Sequence, residues 1–364
     1  MPVGHETIDY GNLELSIKRS QDVHSALQYE DLLADGIDAH FITRVYKINV
    51  GTISDLTSKY WGLTSRLAHE GQFIFPKDHS TVYTCTRRAF VYPNVYVWTA
   101  LPDLRVVGNE SRVEFYIGIE NGTLGMNGRA SFMLLSSGEL YVVVGSRYGS
   151  VTLSIDVAKP SDFKTDKHDY RIIHSRSATF FMIDDRIRAI ALQCYEGTAV
   201  KVNENVLPYS IALVPHMPSA LKAFVYWYAA RSAPATEDLY APLSPAWFRV
   251  SDGKDTIPLQ LPLYLANSDT KLAGYSISSG SATSHPFPLW GYNSRTLLFM
   301  ADQSGTLDVQ VYTTSGNWRS YDSVSVSANT PVKYRFQDAF PVARVVFTPG
   351  TYPATVSEAE VNLS

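Results

Sequence analysis

Asp166–Ile190 reads DKHDYRIIHSRSATFFMIDDRIRAI, and its reading decides the fold. Tyr170–His174 and Thr179–Ile183 are short runs of aromatic and β-branched residues. A tight polar turn separates them, and the acidic turn Asp184–Asp185 follows. Runs of this length and composition, bounded by turn formers, read as strands. Upstream, Val151, Leu153, Ile155 and Val157 alternate with Thr152, Ser154 and Asp156. That is the period-2 pattern of a strand with one buried face. The polar connection Pro160–Lys167 joins it to the opening stretch.

Strand, long polar loop, "H-x-Y-R-I", short turn and "F-F-x-I-D" follow in an order that resembles the concanavalin A-like jelly rolls. That superfamily holds lectins, laminin-G-like modules and glucanases. EFYIGIENG at 114–122 is similar to the "f-x-i-G-x-x-n" strand of laminin-G-like folds, ending in a turn at Asn121–Gly122. The resemblance implies an all-β jelly-roll sandwich. It leaves function open, because one fold hosts binders, enzymes and scaffolds alike.

Working outward, strand signals are dense from Phe41: FITRVYKINV, GQFIF, STVYTCTRRAF and VYPNVYVW. ASFMLLSSGELYVVVG predicts a hairpin turned at Ser136–Gly138, and SIALVPH and LKAFVYWYAA close the sandwich. The jelly roll is expected over 41–250, with 1–40 as an N-terminal arm. In that arm Leu13, Leu15 and Ile17 alternate as a short strand, and Ser25–Ala34 carries helix-forming residues. Residues 251–264 contain Pro258 and Pro262 without alternation and read as a linker. A smaller β-sandwich is expected over 265–364, each side of the linker folding alone. Its S-G-T-L-D-V-Q-V-Y, W-R-x-Y-D-S-V-S-V-S-A-N-T and P-V-A-R-V-V-F-T-P resemble small sandwich modules of phage, archaeal-virus and cell-surface proteins.

Composition narrows the partners. Charged residues are 18% and net charge is −4, with no Lys/Arg block, so nucleic acid is not an expected partner. No apolar run approaches the ~20 residues of a membrane span. MPVGHETIDYGNLELSIKRS has no apolar h-region, so no conventional secretory signal is read there. The two cysteines, Cys85 and Cys194, leave two readings open: one disulfide stapling the sheets, or two buried thiols.

Motifs for chemistry are sparse. Glycoside hydrolysis on this fold needs two carboxyl groups across the scissile bond. Glucanases of the laminarinase type carry them in an E-x-D-x-x-E-like motif, which this chain lacks. Glu114 and Glu120 share a strand face, but six residues place them roughly 20 Å apart. Glu139 and Glu196 stand on other segments, and nothing in the sequence pairs them. The nine histidines form no HxH or HExxH, so no metal is expected, and no cofactor motif is present. His168 has a hydrogen-bonding role in the family-like motif, and Asp184–Asp185 reads as a turn. The remaining candidates are aromatic glycan contacts: Tyr96 and Trp98 on one strand face, and Trp318 and Tyr321 beyond the Ser315–Asn317 turn.

These features lead to the expectation of a non-enzymatic structural and adhesive protein, a virion surface component such as a capsid decoration, fibre or tail-associated protein. Its partners would be itself or other virion structural proteins, with the arm between subunits, and a surface glycan. The alternative is an extracellular or cell-surface protein that binds or processes carbohydrate, glucanase-like.

Overall fold

The computed structural model describes backbone and side chains at 89–98, 114–121, 128–135, 137–145, 150–153, 155, 168–194, 198–203, 208–224, 253, 258–266, 268–313, 316–338 and 340–364. It describes the backbone alone of further strands within 5–86, 99–113, 146–154 and 225–252. Every named element among the described residues is a strand. The opening stretch forms three antiparallel strands, His168–His174, Ala178–Ile183 and Arg186–Gln193, with Tyr170 opposite Ile183 and Ile183 opposite Arg186. Between the last two, Asp184 and Asp185 have φ of 48° and 66°. Left-handed backbone at both positions makes the two-residue turn whose twist matches its flanking strands, and Asp tolerates it.

These strands belong to an eight-stranded sheet. Its order is Val200–Lys201, Ser210–Val214, Arg186–Gln193, Ala178–Ile183, His168–His174, Asn94–Ala100, Trp247–Asp252 and Leu27–Leu32. A nine-stranded sheet lies against it, ordered Gly149–Ser154, Leu140–Ser146, Arg129–Leu135, Glu110–Glu120, Ala220–Arg231, Thr81–Thr86, Phe41–Asn49 and Thr52–Asp55, with Phe90–Val91 beside Ala220–Arg231. One core fills the space between them. Phe115, Ile117, Phe132, Val142 and Leu153 come from the nine-stranded sheet; Trp98, Tyr170, Ile172 and Phe181 come from the other. Phe132 meets the rings of Tyr170 and Phe181 edge-on at 5.4 and 5.5 Å, a favoured aromatic geometry.

The two sheets differ in what covers their outer faces. Ala178–Ile183 and Ser210–Val214 are buried at every position. Both faces are therefore covered, which is why ATFFMI and IALV run without alternation. The cover is a second sandwich. Its seven-stranded sheet has the order His5–Asp9, Glu14–Lys18, Leu259–Pro262, Ala354–Leu363, Arg295–Ala301 and Val332–Arg335, with Ser276–Ile277 on Ala354–Leu363. Its five-stranded sheet runs Ala282–Thr283, Val342–Pro349, Gly305–Tyr312 and Trp318–Val326, with Phe287–Pro288 on Val342–Pro349. Ile173, Phe180, Met182, Ile190, Leu192, Ile211 and Leu213 share one core with Leu261, Phe299, Leu307, Val309 and Phe347. Hydrogen bonds stitch the seam: Tyr209 Oη donates to the Pro286 carbonyl at 3.0 Å, and His285 Nε2 to the Tyr209 carbonyl at 2.8 Å.

Two local expectations change. Within the expected linker, Leu259–Pro262 is a strand paired with Ala354–Leu363, and Leu259 and Leu261 are buried. Pro262 sits at the strand's last position, where the chain leaves the ladder. In the arm, Leu27–Leu32 is a strand against Trp247–Asp252 where helix-forming residues stand, because long-range pairing overrides local propensity. The arm's hairpin, His5–Asp9 with Glu14–Lys18, adds to the C-terminal sheet through Leu15 opposite Leu259. Glu14–Lys18 thus has strand neighbours on both sides within the chain, and His5–Asp9 is the end strand of that sheet. Cys194 is a free, half-buried thiol whose pKa burial pushes up to about 12. Cys85's side chain lies outside the described residues.

Candidate functional site

With the eight-stranded sheet covered on both sides, attention turns to the outer face of the nine-stranded sheet, where Glu139 is exposed and Glu114, Tyr116, Arg129 and Tyr141 are half-buried, while Ser131, Met133 and Leu135 are buried. Leu140, Val142 and Val144 are buried, while Tyr141 and Val143 between them are half-buried. Glu114 and Tyr116 are likewise half-buried against the buried Phe115 and Ile117, and every position from Ile117 to Glu120 is buried. Register then sorts the outer residues into rows. Tyr116 is opposite Met133, which is opposite Tyr141; on the other side Tyr226 and Tyr83 continue the row. Gly118 lies opposite Ser131, and Ser131 opposite Val143. Glu120 lies opposite Arg129 and Lys222.

The row before Tyr116 brings two carboxylates together. Glu114 is opposite Leu135, whose N–H donates to the Glu139 carbonyl at 2.9 Å. Gly138, at φ 98°, closes this hairpin by donating its N–H to the Leu135 carbonyl at 2.8 Å, a left-handed position suited to glycine. Two interstrand steps of about 4.8 Å put the Glu114 and Glu139 Cα atoms about 10 Å apart. Glu139 is exposed and accepts a 2.9 Å hydrogen bond from Ser137 Oγ. Glu114 is half-buried and accepts a short hydrogen bond from the Tyr116 hydroxyl. The Arg129 guanidinium lies 4.3 Å from the Tyr116 ring centroid and 4.9 Å from that of Phe224, and its Nε donates to Ser131 Oγ at 3.2 Å. Glu120 shares Glu114's face but stays six residues away and is buried. Glu196 lies outside the described residues.

Gly118 is required where it stands. A Cβ there would fall 2.4 Å from the Ala130 carbonyl oxygen and 2.4 Å from Ser131 Cβ. Gly118→Ala is expected to cost about 1–3 kcal/mol through overpacking, read as a lowered Tm; an unchanged Tm would contradict the close approach.

The aromatic candidates divide. Tyr96 and Trp98 are 0% and 2% exposed and stack on each other at 6.1 Å inside the first core. Burial pushes the Tyr96 hydroxyl's pKa upward. Asn94–Ala100 is a central strand, so these rings face the opposite sheet and are not glycan contacts. Trp318 and Tyr321 lie on the edge strand Trp318–Val326 and are half-buried. Trp318 packs against Tyr312 at 5.2 Å with the Arg344 guanidinium 4.4 Å from its ring centroid. Tyr321 packs on Phe340 at 4.7 Å and its hydroxyl donates to Asp338. His168 binds Asp184, in keeping with a hydrogen-bonding role. Among the described residues no cluster of three His, Cys, Asp or Glu is placed for a metal, and no helix is long and apolar enough to cross a membrane.

No family model matches the chain, and no curated protein does. Solved structures do. The catalytic domain of an endo-1,3-β-glucanase (laminarinase) from Thermotoga petrophila aligns over 63% of this chain and 98% of its own, at 11% identity and TM-score 0.41. A non-specific endo-β-1,3(4)-glucanase of family GH16 aligns over 68% and 98%, at 11% and 0.41. A structure from work on endo-acting O-glycanases of the human gut microbiota aligns over 63% and 100%, at 10% and 0.41. The larger unit's two facing all-β sheets around one core accord with the expected jelly-roll sandwich. At these identities and TM-scores the likeness reaches no further than the fold. The expected non-enzymatic virion surface component is nevertheless corrected. Its premise, that no two carboxylates can be placed together, does not hold, because register sets Glu114 and Glu139 in one row.

The pairing of Glu114 with Glu139 escapes the sequence reading. The Ser136–Gly138 turn fixes half of the register, placing Leu135 beside Glu139. The other half crosses 121–128, a connection whose length sets no register.

Proposed function

We propose that this chain hydrolyses glycosidic bonds of a polysaccharide lying across the outer face of the nine-stranded sheet, with Glu114 and Glu139 as its two carboxyl groups. The observation that carries this reading is their common row, about 10 Å apart at Cα. One carboxylic acid gives its proton to the glycosidic oxygen as the C–O bond breaks. The other carboxylate takes a proton from the water whose oxygen bonds to the anomeric carbon. Carboxyl groups about 6.5–9.5 Å apart leave room for that water and invert the anomeric centre, whereas about 5–5.5 Å gives retention through a glycosyl-enzyme, so the product anomer reads which spacing the pair adopts. Tyr116 and Tyr141, half-buried in the next row, suit stacking of sugar rings, whose C–H groups meet an aromatic face. Trp318 and Tyr321 are proposed as secondary glycan contacts on the C-terminal sandwich.

The test is reducing-end release from a panel of β-1,3- and β-1,4-glucans, with the product anomer read by NMR. Glu114→Gln and Glu139→Gln are each expected to lower kcat by about 10²–10⁴-fold, the usual worth of a general acid or base. Full activity in both variants, or a silent wild type across the panel, overturns the proposal.

A further inference from the structure

We infer that Tyr116 is a positioning residue for Glu114, itself held in place by Arg129. The inference rests on the reading of Glu114 as one of the two working carboxyl groups. Glu114 and Tyr116 are two residues apart on one strand and share its outer face, and the phenol donates to Glu114 Oε2. A half-buried glutamate has three rotatable bonds, and holding it in one geometry costs side-chain entropy. A tyrosine has two, so its hydroxyl is a stiffer anchor than another flexible side chain.

The anchor is fixed in its turn. The Arg129 guanidinium lies against the Tyr116 ring at 4.3 Å and against Phe224 at 4.9 Å, an arrangement that attracts a cation to the ring face. Arg129 does not swing freely, because its Nε donates to Ser131 Oγ on the same strand. The nearest outer-face residue toward Arg129 on Tyr116's strand, Gly118, has no side chain to push the ring aside. Arg129, Tyr116 and Glu114 thus form a chain of contacts from the row of Glu120 to the row of Glu139. Tyr116 has a second conceivable role, stacking on the sugar itself, and the two roles separate in their readouts.

The experiment labels glutamate side chains with ¹³C in the full chain and follows the Glu114 carboxylate signal, assigned by its loss in Glu114→Gln. In Tyr116→Phe that signal is expected to move and broaden while the Glu120 signal stays in place. Arg129→Met is expected to act in the same direction, and Arg129→Lys to restore little, since an ammonium lacks the planar stack. In glycan hydrolysis Tyr116→Phe is expected to lower kcat about tenfold with KM within twofold and Tm unchanged. An unmoved Glu114 signal overturns the inference whatever the activity. A raised KM at constant kcat also overturns it, in favour of sugar stacking. A moved signal in a protein that hydrolyses no glycan supports the positioning role and removes the hydrolase reading instead.

Discussion

Expressed as two pieces, 1–252 and 253–364, this chain is expected to lose cooperative folding in both. The cut bares the outer face of the eight-stranded sheet. Ile173, Phe180, Met182, Ile190, Leu192, Ile211 and Leu213 are each at most 2% exposed in the intact chain and belong to the core shared with the C-terminal sandwich. At about 1.5–3 kcal/mol for each large apolar side chain, uncovering them forfeits on the order of 10–20 kcal/mol. That equals or exceeds the roughly 5–15 kcal/mol that holds a typical domain folded. The C-terminal piece loses the same contacts from its side and also the hairpin strand beside Leu259–Gln260. This replaces the expectation, drawn from Pro258 and Pro262 alone, that the halves fold independently. Thermal unfolding, dye binding to exposed apolar surface and light scattering read the outcome. Two monomeric fragments with sharp transitions would refute a common core.

Acid is expected to weaken the intact chain through two histidines. His174 is fully buried, with Nδ1 3.0 Å from Thr179 Oγ1. His285 is buried at the seam, where Nε2 donates to the Tyr209 carbonyl. That tautomer leaves Nδ1 bare, and it has no hydrogen-bond partner among the described residues. Burial lowers the pKa of each ring from the usual 6.5 to about 4. The unfolded chain therefore binds more protons between pH 6.5 and 4, so stability falls as pH drops through that window and levels off below it. Shifts of this size are worth about 3 kcal/mol for each ring. Urea unfolding midpoints at steps from pH 7 to 4 are the measurement. His174→Gln and His285→Gln should each flatten the curve. An equally steep loss in the double variant would assign the acid sensitivity to carboxylates instead.

The sequence carries the meander at 166–190 and the Ser136–Gly138 hairpin plainly, because turn chemistry and strand composition act locally. It carries less about faces. Tyr96 and Trp98 alternate as outward residues would, yet their strand is central in a sheet covered on both sides, and only the partner sheets reveal that. Within SALQYEDLLA, Leu27–Leu32 pairs as a strand because Trp247–Asp252 offers it an edge more than two hundred residues away. Glu114 and Glu139 are neighbours by register, a property of three strands together. What is legible, then, is what depends on adjacent residues.

The hairpin at the front of the chain bears on the order of events during synthesis. Leu15 finds Leu259, and Leu259 finds Leu363. The hairpin precedes by more than two hundred residues the strands of the sheet it joins, Leu259–Pro262 and Ala354–Leu363. Pairings of such long separation form slowly, because the loop must close before any contact rewards it. The hairpin strands His5–Asp9 and Glu14–Lys18 therefore have only each other to pair with until those later strands are made. In that interval they are the part of the nascent chain most open to capture by chaperones or by a neighbouring copy.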